Sequence, residues 1–158
     1  IHLVPRLPLR FNARCDITIN GVAEMDWIFE RDFQVRDYEC DLQGIVNNAV
    51  YQNYLEHTRN EFLRERGPDL KALHDTGIDA VVARIEIDYK FPLRPNDRFV
   101  CRLNLTRDGD LKLIFNQEIV LADDQKLCAR AKVTVVILQN GRVSMPQVIK
   151  DSFAEFFQ

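Results

Sequence analysis

The chain has 158 residues, 46% hydrophobic and 28% charged, with a formal net charge of −3. That length suits one domain with its own core, and that charge leaves no footprint for nucleic acid or an anionic membrane. No apolar run approaches the ~20 residues of a spanning helix, and Cys15, Cys40, Cys101 and Cys128 are too scattered for a zinc site or a disulfide framework.

Residues 1–24 stand apart. They carry Arg6, Arg10 and Arg14 but only Asp16 and Glu24 as acids, and the first methionine is Met25. Three readings stay open: tag or upstream sequence ahead of a start at Met25, the tail of a trimmed organelle-targeting peptide, or an extra strand in "RCDITIN". Residues 25–158 are expected to form a single domain. The expected compartment is the cytoplasm, or an organelle stroma under the second reading.

"WIFERDFQVRDY" (27–38) alternates around Ile28, Phe33 and Val35, which predicts a strand. From Val50 the period changes. Tyr51, Tyr54, Leu55, Thr58 and Phe62 fall on one helical stripe, with Glu56 and Arg59 on other faces. Gly67-Pro68 ends that helix, and "PDLKALHDTG" reads as a short second one. Four long strands follow: 79–91, 98–108, 111–123 and 126–138. Asp108-Gly109-Asp110 and Asp123-Asp124 mark turns between them, and Asn140-Gly141 marks another. "QVIKDSFAEFF" predicts a closing helix. One long helix cannot bury its stripe alone, so an α+β layout with the helix across an antiparallel sheet is expected. Phe99 and Phe115 read as outer-face residues that suit packing against a second subunit.

The run "YECDLQGIVNNAVYQNYLEHTRNEF" (38–62) holds more polar residues than a turn needs. A helix start offers unpaired N–H groups that can polarise a carbonyl. Gly44 allows close backbone approach. Asp41, just upstream, supplies a carboxylate that can attack a carbonyl or deprotonate a water. Plainer roles exist for each residue. Asn47 or Asn48 can be an N-cap, Asp41 can make an Asx-turn, and Gly44 can be turn punctuation.

The order of these residues closely resembles the signature of the 4-hydroxybenzoyl-CoA thioesterase family of hot-dog-fold proteins. Asp41, Gly44, Ile45, Val46, Tyr51, Tyr54, Glu56, Arg59 and Glu61 sit at matching places, with Glu39 as the first acid of the pair. "IDYKFPLRPNDRF" continues the likeness through Tyr89, Pro92 and Asp97, so that it covers about residues 27–146. Within the family the wording looks most like the plant acyl-lipid (methylketone-pathway) thioesterases and their bacterial relatives. Those act on fatty acyl or 3-oxoacyl groups on acyl carrier protein. Many members carry Tyr-His where this chain has Asn47-Asn48.

The resemblance implies a hot-dog fold, an antiparallel sheet wrapped around a helix from about Asn48 to Arg66. It implies hydrolysis of acyl-CoA or acyl-carrier-protein thioesters. Asp41 would be the catalytic carboxylate, as nucleophile or general base, and the backbone N–H of Asn48, or of a neighbour, would polarise the carbonyl. Gly44, Val46, Asn47, Tyr51 and Tyr54 would shape the substrate site, the tyrosines also serving as core. Lys90 and Arg94, around a strand end and a proline turn, are placed to meet the phosphate of such a carrier, with an ordinary solvated turn as the plainer reading. Homodimers, usually pairing again, are implied, and no metal or redox cofactor is.

Rival groups have duller roles. Glu56 is expected to pair with Arg59 at i, i+3, and His57 with Glu61 at i, i+4. His74 has only Asp75 nearby in sequence. Cys40 lacks a positioned histidine, and no G-x-S-x-G elbow exists. Two other functions stay open: a non-catalytic acyl-binding module, and a hot-dog hydratase or dehydratase, whose loop histidine this chain lacks.

Overall fold

The computed structural model describes residues 26–157. The readings for residues 1–24 therefore lie outside the described residues. The elements run β1 (Phe29–Gln34), α1 (Asn48–Arg66), α2 (Leu70–Asp75), β2 (Ile78–Tyr89), β3 (Arg98–Asp108), β4 (Lys112–Leu121), β5 (Leu127–Gln139), β6 (Arg142–Ser144) and α3 (Gln147–Phe153). Short 3-10 turns stand at Asp37–Glu39 and Ala154–Phe156.

The strands form one antiparallel sheet in the order β1-β3-β4-β5-β2, with β6 pairing the end of β5. β1 and β2 lie at its two ends. The β5-β6 hairpin closes through Asn140 and Gly141 at φ 50° and 79°. That is the left-handed pair a two-residue turn requires, and Asn-Gly supplies it at low cost. The three-residue β6 is too short to show as an alternating run, and the sequence did not reveal it.

The expected strand over 27–38 stops at Gln34. Its edge is taken by residues far along the chain: Val35 N–H donates to Asp97 O, and Asn96 N–H donates to Val35 O. The Glu39 carboxylate then accepts from Arg36 N–H at 2.7 Å and bends Asp37–Glu39 into a 3-10 turn.

α1 packs on β1 and β3. Two apolar clusters sit between helix and sheet. One gathers Phe62, Leu103, Leu105, Leu113, Phe115, Val133 and Ile137 with Ile149, Phe153 and Phe156 of the C-terminal segment. The other, nearer the helix N-terminus, gathers Val46, Tyr51, Tyr54, Leu55, Leu93, Phe99, Cys101 and Ile119. Phe99 and Phe115 thus belong to the inner, helix-facing side, not the outer face expected from sequence. Alternation alone does not say which side of a strand meets the helix. The outer face carries a charged cluster between Ile114 and Val120: Glu118, buried, accepts from Arg102 and Arg130 at 2.8 Å each.

β2, twelve residues long, has one edge with no partner strand among the described residues. A bulge between Val82 and Arg84 keeps Val82 and Ile85 opposite Val135 and Val133 of the inner face. Val82, Ile85 and Tyr89 stay 46%, 37% and 49% exposed.

Candidate active site

Residues 40–46 form a tight hairpin between the 3-10 turn and α1. Asp41 N–H donates to Ile45 O at 2.9 Å, Gly44 N–H donates to Asp41 O at 3.1 Å, and Cys40 bridges Val46. Gly44 sits at φ 73°, where a side chain costs about 1 kcal/mol or more. An added Cβ would touch nothing within 4 Å, so glycine is needed for its backbone and not for space.

Two bonds join this hairpin to the core. Val46 N–H donates to Leu93 O, and Asn47 N–H donates to Glu39 O. Leu93 N–H in turn donates to Tyr51 Oη at 3.2 Å. Asn47 caps α1: its Oδ1 accepts from Ala49 N–H at 3.0 Å. That bond engages the Asn47 side chain. The backbone N–H of Asn48, at the first position of the helix, has no hydrogen-bond partner among the described residues. It is the free donor that a substrate oxygen can use.

Asp41 Oδ1 accepts from Gln43 N–H at 2.8 Å, which is an Asx-turn. Asp41 Oδ2 has no hydrogen bond among the described residues, and the residue is half-buried. The turn role and a reactive role therefore coexist. One oxygen anchors the carboxylate while the other stays open. The Asn48 carbonyl accepts from Tyr89 Oη at 3.0 Å, which ties the far end of β2 to the first turn of α1. From sequence, Tyr89 has no role beyond its place in the signature.

Tyr51 and Tyr54 are both buried, as core positions of α1. Among the described residues Tyr54 Oη finds no hydrogen bond of good geometry, although the Glu39 carboxylate faces it. Burial first, and then Glu39, raise the phenol's pKa well above the ordinary value. Glu39 and Tyr54 also wall an open cavity of about 680 Å³ beside β1, together with Phe33, Arg36 and His57. Asp41 is not among its walls. Lys90 and Arg94 are exposed at the end of β2 and the turn after it, with no side-chain partner among the described residues.

The rival groups resolve as follows. Arg59 does not pair with Glu56 but is buried, 7% exposed, and donates to Gln117 Oε1 at 2.9 Å. Gln117 Nε2 in turn donates to Leu55 O. The i, i+3 rule failed because a buried acceptor on β4 offers more than a solvated carboxylate. His57 is exposed, 3.8 Å from Glu61. His74 pairs with Asp79 at 2.5 Å, a partner across the turn into β2 that proximity in sequence did not suggest. The Cys40 thiol's pKa is raised by burial and then by the surrounding acids, the wrong direction for a nucleophile. No group of three or more potential metal ligands occurs among the described residues. No helix there is long and apolar enough to cross a membrane.

Among the described residues, one long helix against a six-stranded antiparallel sheet, with an acid-bearing hairpin at its N-terminus, defines a hot-dog protein. The chain belongs to the Thioesterase-like superfamily, whose family model matches residues 35–153. It is 30% identical over 158 residues to the Arabidopsis thaliana acyl-acyl carrier protein thioesterase ATL3, chloroplastic, covering 96% of this chain and 83% of that one. It is 28% identical over 131 residues to the acyl-CoA thioester hydrolase YbgC of Escherichia coli O157:H7, covering 83% and 97%. Among solved structures, a hypothetical protein from Aquifex aeolicus superposes with a TM-score of 0.71 at 30% identity, covering 78% and 98%. The 1,4-dihydroxy-2-naphthoyl-CoA thioesterase Slr0204 from Synechocystis shares the fold, with a TM-score of 0.72 at 21% identity and 80% and 96% covered.

Proposed function

We propose that this protein hydrolyses acyl thioesters, fatty acyl or 3-oxoacyl, carried on coenzyme A or acyl carrier protein, to free acid and thiol. The observation that carries the reading is the pairing of an open carboxylate oxygen on Asp41 with an unpartnered N–H at Asn48, at either end of one hydrogen-bonded hairpin. The thioester carbonyl accepts from the Asn48 N–H at the positive end of α1. The Asp41 carboxylate attacks that carbon, or takes a proton from the water that does. The negative charge that develops on the carbonyl oxygen faces the helix terminus. On the first route thiolate leaves an acyl-Asp41 anhydride, which water hydrolyses to acid and free carboxylate; on the second the water oxygen adds to the carbon, the C–S bond breaks, and the proton held by Asp41 passes to the thiolate. Gly44 and Val46 hold the backbone in place, and Lys90 and Arg94 meet carrier phosphate. The relatives named above support the substrate class.

The protein works as a homodimer joined at the open β2 edge, which pairs again into a dimer of dimers. The support is the unpaired backbone of β2 and its exposed Val82, Ile85 and Tyr89, an edge that soluble proteins rarely leave bare. Residues 25–158 form the catalytic domain, and the protein acts in the cytoplasm or an organelle stroma.

The test is thiol release from short, medium, long, aromatic and 3-oxo acyl thioesters on both carriers, with Asp41→Asn run in parallel. Turnover in the wild type that vanishes in the variant is expected. Equal turnover in a folded variant would refute the assignment.

A further inference from the structure

α1 packs toward β1 and β3, so the inner side of β2 is left partly open. Asn48, Gln52, Glu56, Asn60 and Leu63 fall along one stripe of α1 at helical spacing. The structure locates that stripe at both ends. At the N-terminal end Tyr89 Oη donates to Asn48 O, and at the other end Glu56, Asn60 and Leu63 share a cavity wall with Ala80 and Val82. The stretch of β2 from Tyr89 back to Ala80 joins these two ends and is here called the trough; it begins beside Asn48, whose N–H has no partner among the described residues.

The trough ends in a cavity of about 160 Å³ beneath α2. Leu63, Leu70, Ala80, Val82, Leu113 and Phe115 are among its walls. Glu56, Arg59 and Asn60 are its polar members and the other walls are apolar; an apolar space near 150 Å³ has room for a ring of about six carbons. Arg59 is the cation on the wall, but its guanidinium is drawn to Gln117, which is pinned to Leu55 O. Its apolar stem lies along the remaining wall as such stems commonly do.

Resting on the thioesterase reading, we infer that the substrate's acyl chain lies in this trough and that its methyl end fills the cavity under α2, which selects straight chains of twelve to sixteen carbons. Along α1 the cavity begins near Glu56 and ends near Leu63, about 12 Å and 22 Å from Asn48 at ~1.5 Å per residue. Extended alkyl chains of roughly ten and roughly eighteen carbons span those distances at ordinary bond lengths. A chain of fourteen carbons ends inside the cavity. A chain of eight stops short and leaves it empty.

Leu70 on α2 and Val82 on β2 reach the cavity from different elements, and each is partly exposed in the single chain, so both accept a larger side chain without a change to the core; Val82 also lies on the proposed dimer edge, so light scattering checks that Val82→Trp keeps the wild-type mass. The experiment measures kcat/KM for tetradecanoyl-CoA and octanoyl-CoA in wild type, Leu70→Trp and Val82→Trp. Binding of the non-hydrolysable S-tetradecyl and S-octyl thioethers of coenzyme A is measured beside it. The fourteen-to-eight-carbon ratio should exceed one in the wild type. It should fall at least tenfold in each variant, in turnover and in binding alike. Ratios unchanged in both variants would overturn the chain seat. Absence of turnover on either thioester would refute hydrolysis alone, because the thioether ratios would still decide where the chain lies.

Discussion

Glu39 holds the Asp41 hairpin from outside, and its removal is the most informative perturbation of the scaffold. Its carboxylate accepts from Arg36 N–H at 2.7 Å, its backbone carbonyl accepts from the helix-capping Asn47, and its side chain faces the otherwise unpartnered Tyr54 Oη. A hydrogen bond to a charged acceptor contributes about 1.5–3 kcal/mol, and the lower end applies here because Glu39 is only half-buried. Glu39→Ala should therefore lower stability by about 1.5 kcal/mol, seen as a melting-temperature drop of about 3–6 °C for a domain of this size. It should lower kcat/KM about tenfold, chiefly in kcat, because Asp41 is then presented by a looser loop. Glu39→Gln keeps an acceptor in place and should recover most of both losses. Steady-state kinetics and thermal denaturation of the two variants check this. Full activity in Glu39→Ala would refute the anchoring role. Equal damage in Glu39→Gln would show that the negative charge itself does the work.

The Arg59–Gln117 pair is buried, so Arg59→Met, which strands the Gln117 carbonyl, should cost about 1–3 kcal/mol in urea denaturation. Arg59→Met with Gln117→Leu should recover about half of that or more, since a buried cation is costly to keep. Asp79 raises the His74 pKa above its ordinary value of 6.5, so the pair's contribution is present below that pH and is lost as pH rises through the raised value. His74→Gln should therefore depress the melting temperature more at pH 5.5 than at pH 8.5. Ile85→Asp on the inner side of β2 should weaken self-association, read as a lower mass by light scattering. Burial pushes the Cys101 and Cys128 thiols up to about 12 and about 11, so a thiol reagent at pH 8 should modify neither until denaturant is added.

The sequence exposed what is local. The stripe of Tyr51, Tyr54, Leu55, Thr58 and Phe62 gave α1 its buried face, Asn47 its cap and Gly67 its end, because helix period and capping depend on neighbours a few positions apart. The hairpin turns were legible for the same reason. What was hidden depends on distant parts of the chain. β1 ends early because Asn96 and Asp97 take the backbone of Val35, and Arg59 turns inward because Gln117 waits on β4. The helix-facing sides of β3 and β4 could not be read from alternation, so Phe99 and Phe115 were put outside. At the site, the acid, the glycine and the helix start were visible as a pattern. Tyr89 bonding the Asn48 carbonyl and the trough beside it were not, because they need β2 folded back along α1.

The central claim is that Asp41 does the chemistry and does not merely hold a turn. It is tested most directly by comparing Asp41→Asn with the wild type in two quantities: kcat on an acyl thioester, and affinity for its non-hydrolysable thioether. Asparagine keeps an oxygen for the Gln43 N–H, so the hairpin and the affinity should survive. kcat should fall by about 10²–10⁴, the usual worth of a general base. A variant that binds normally and turns over at the wild-type rate would contradict the account and leave Asp41 as a turn residue.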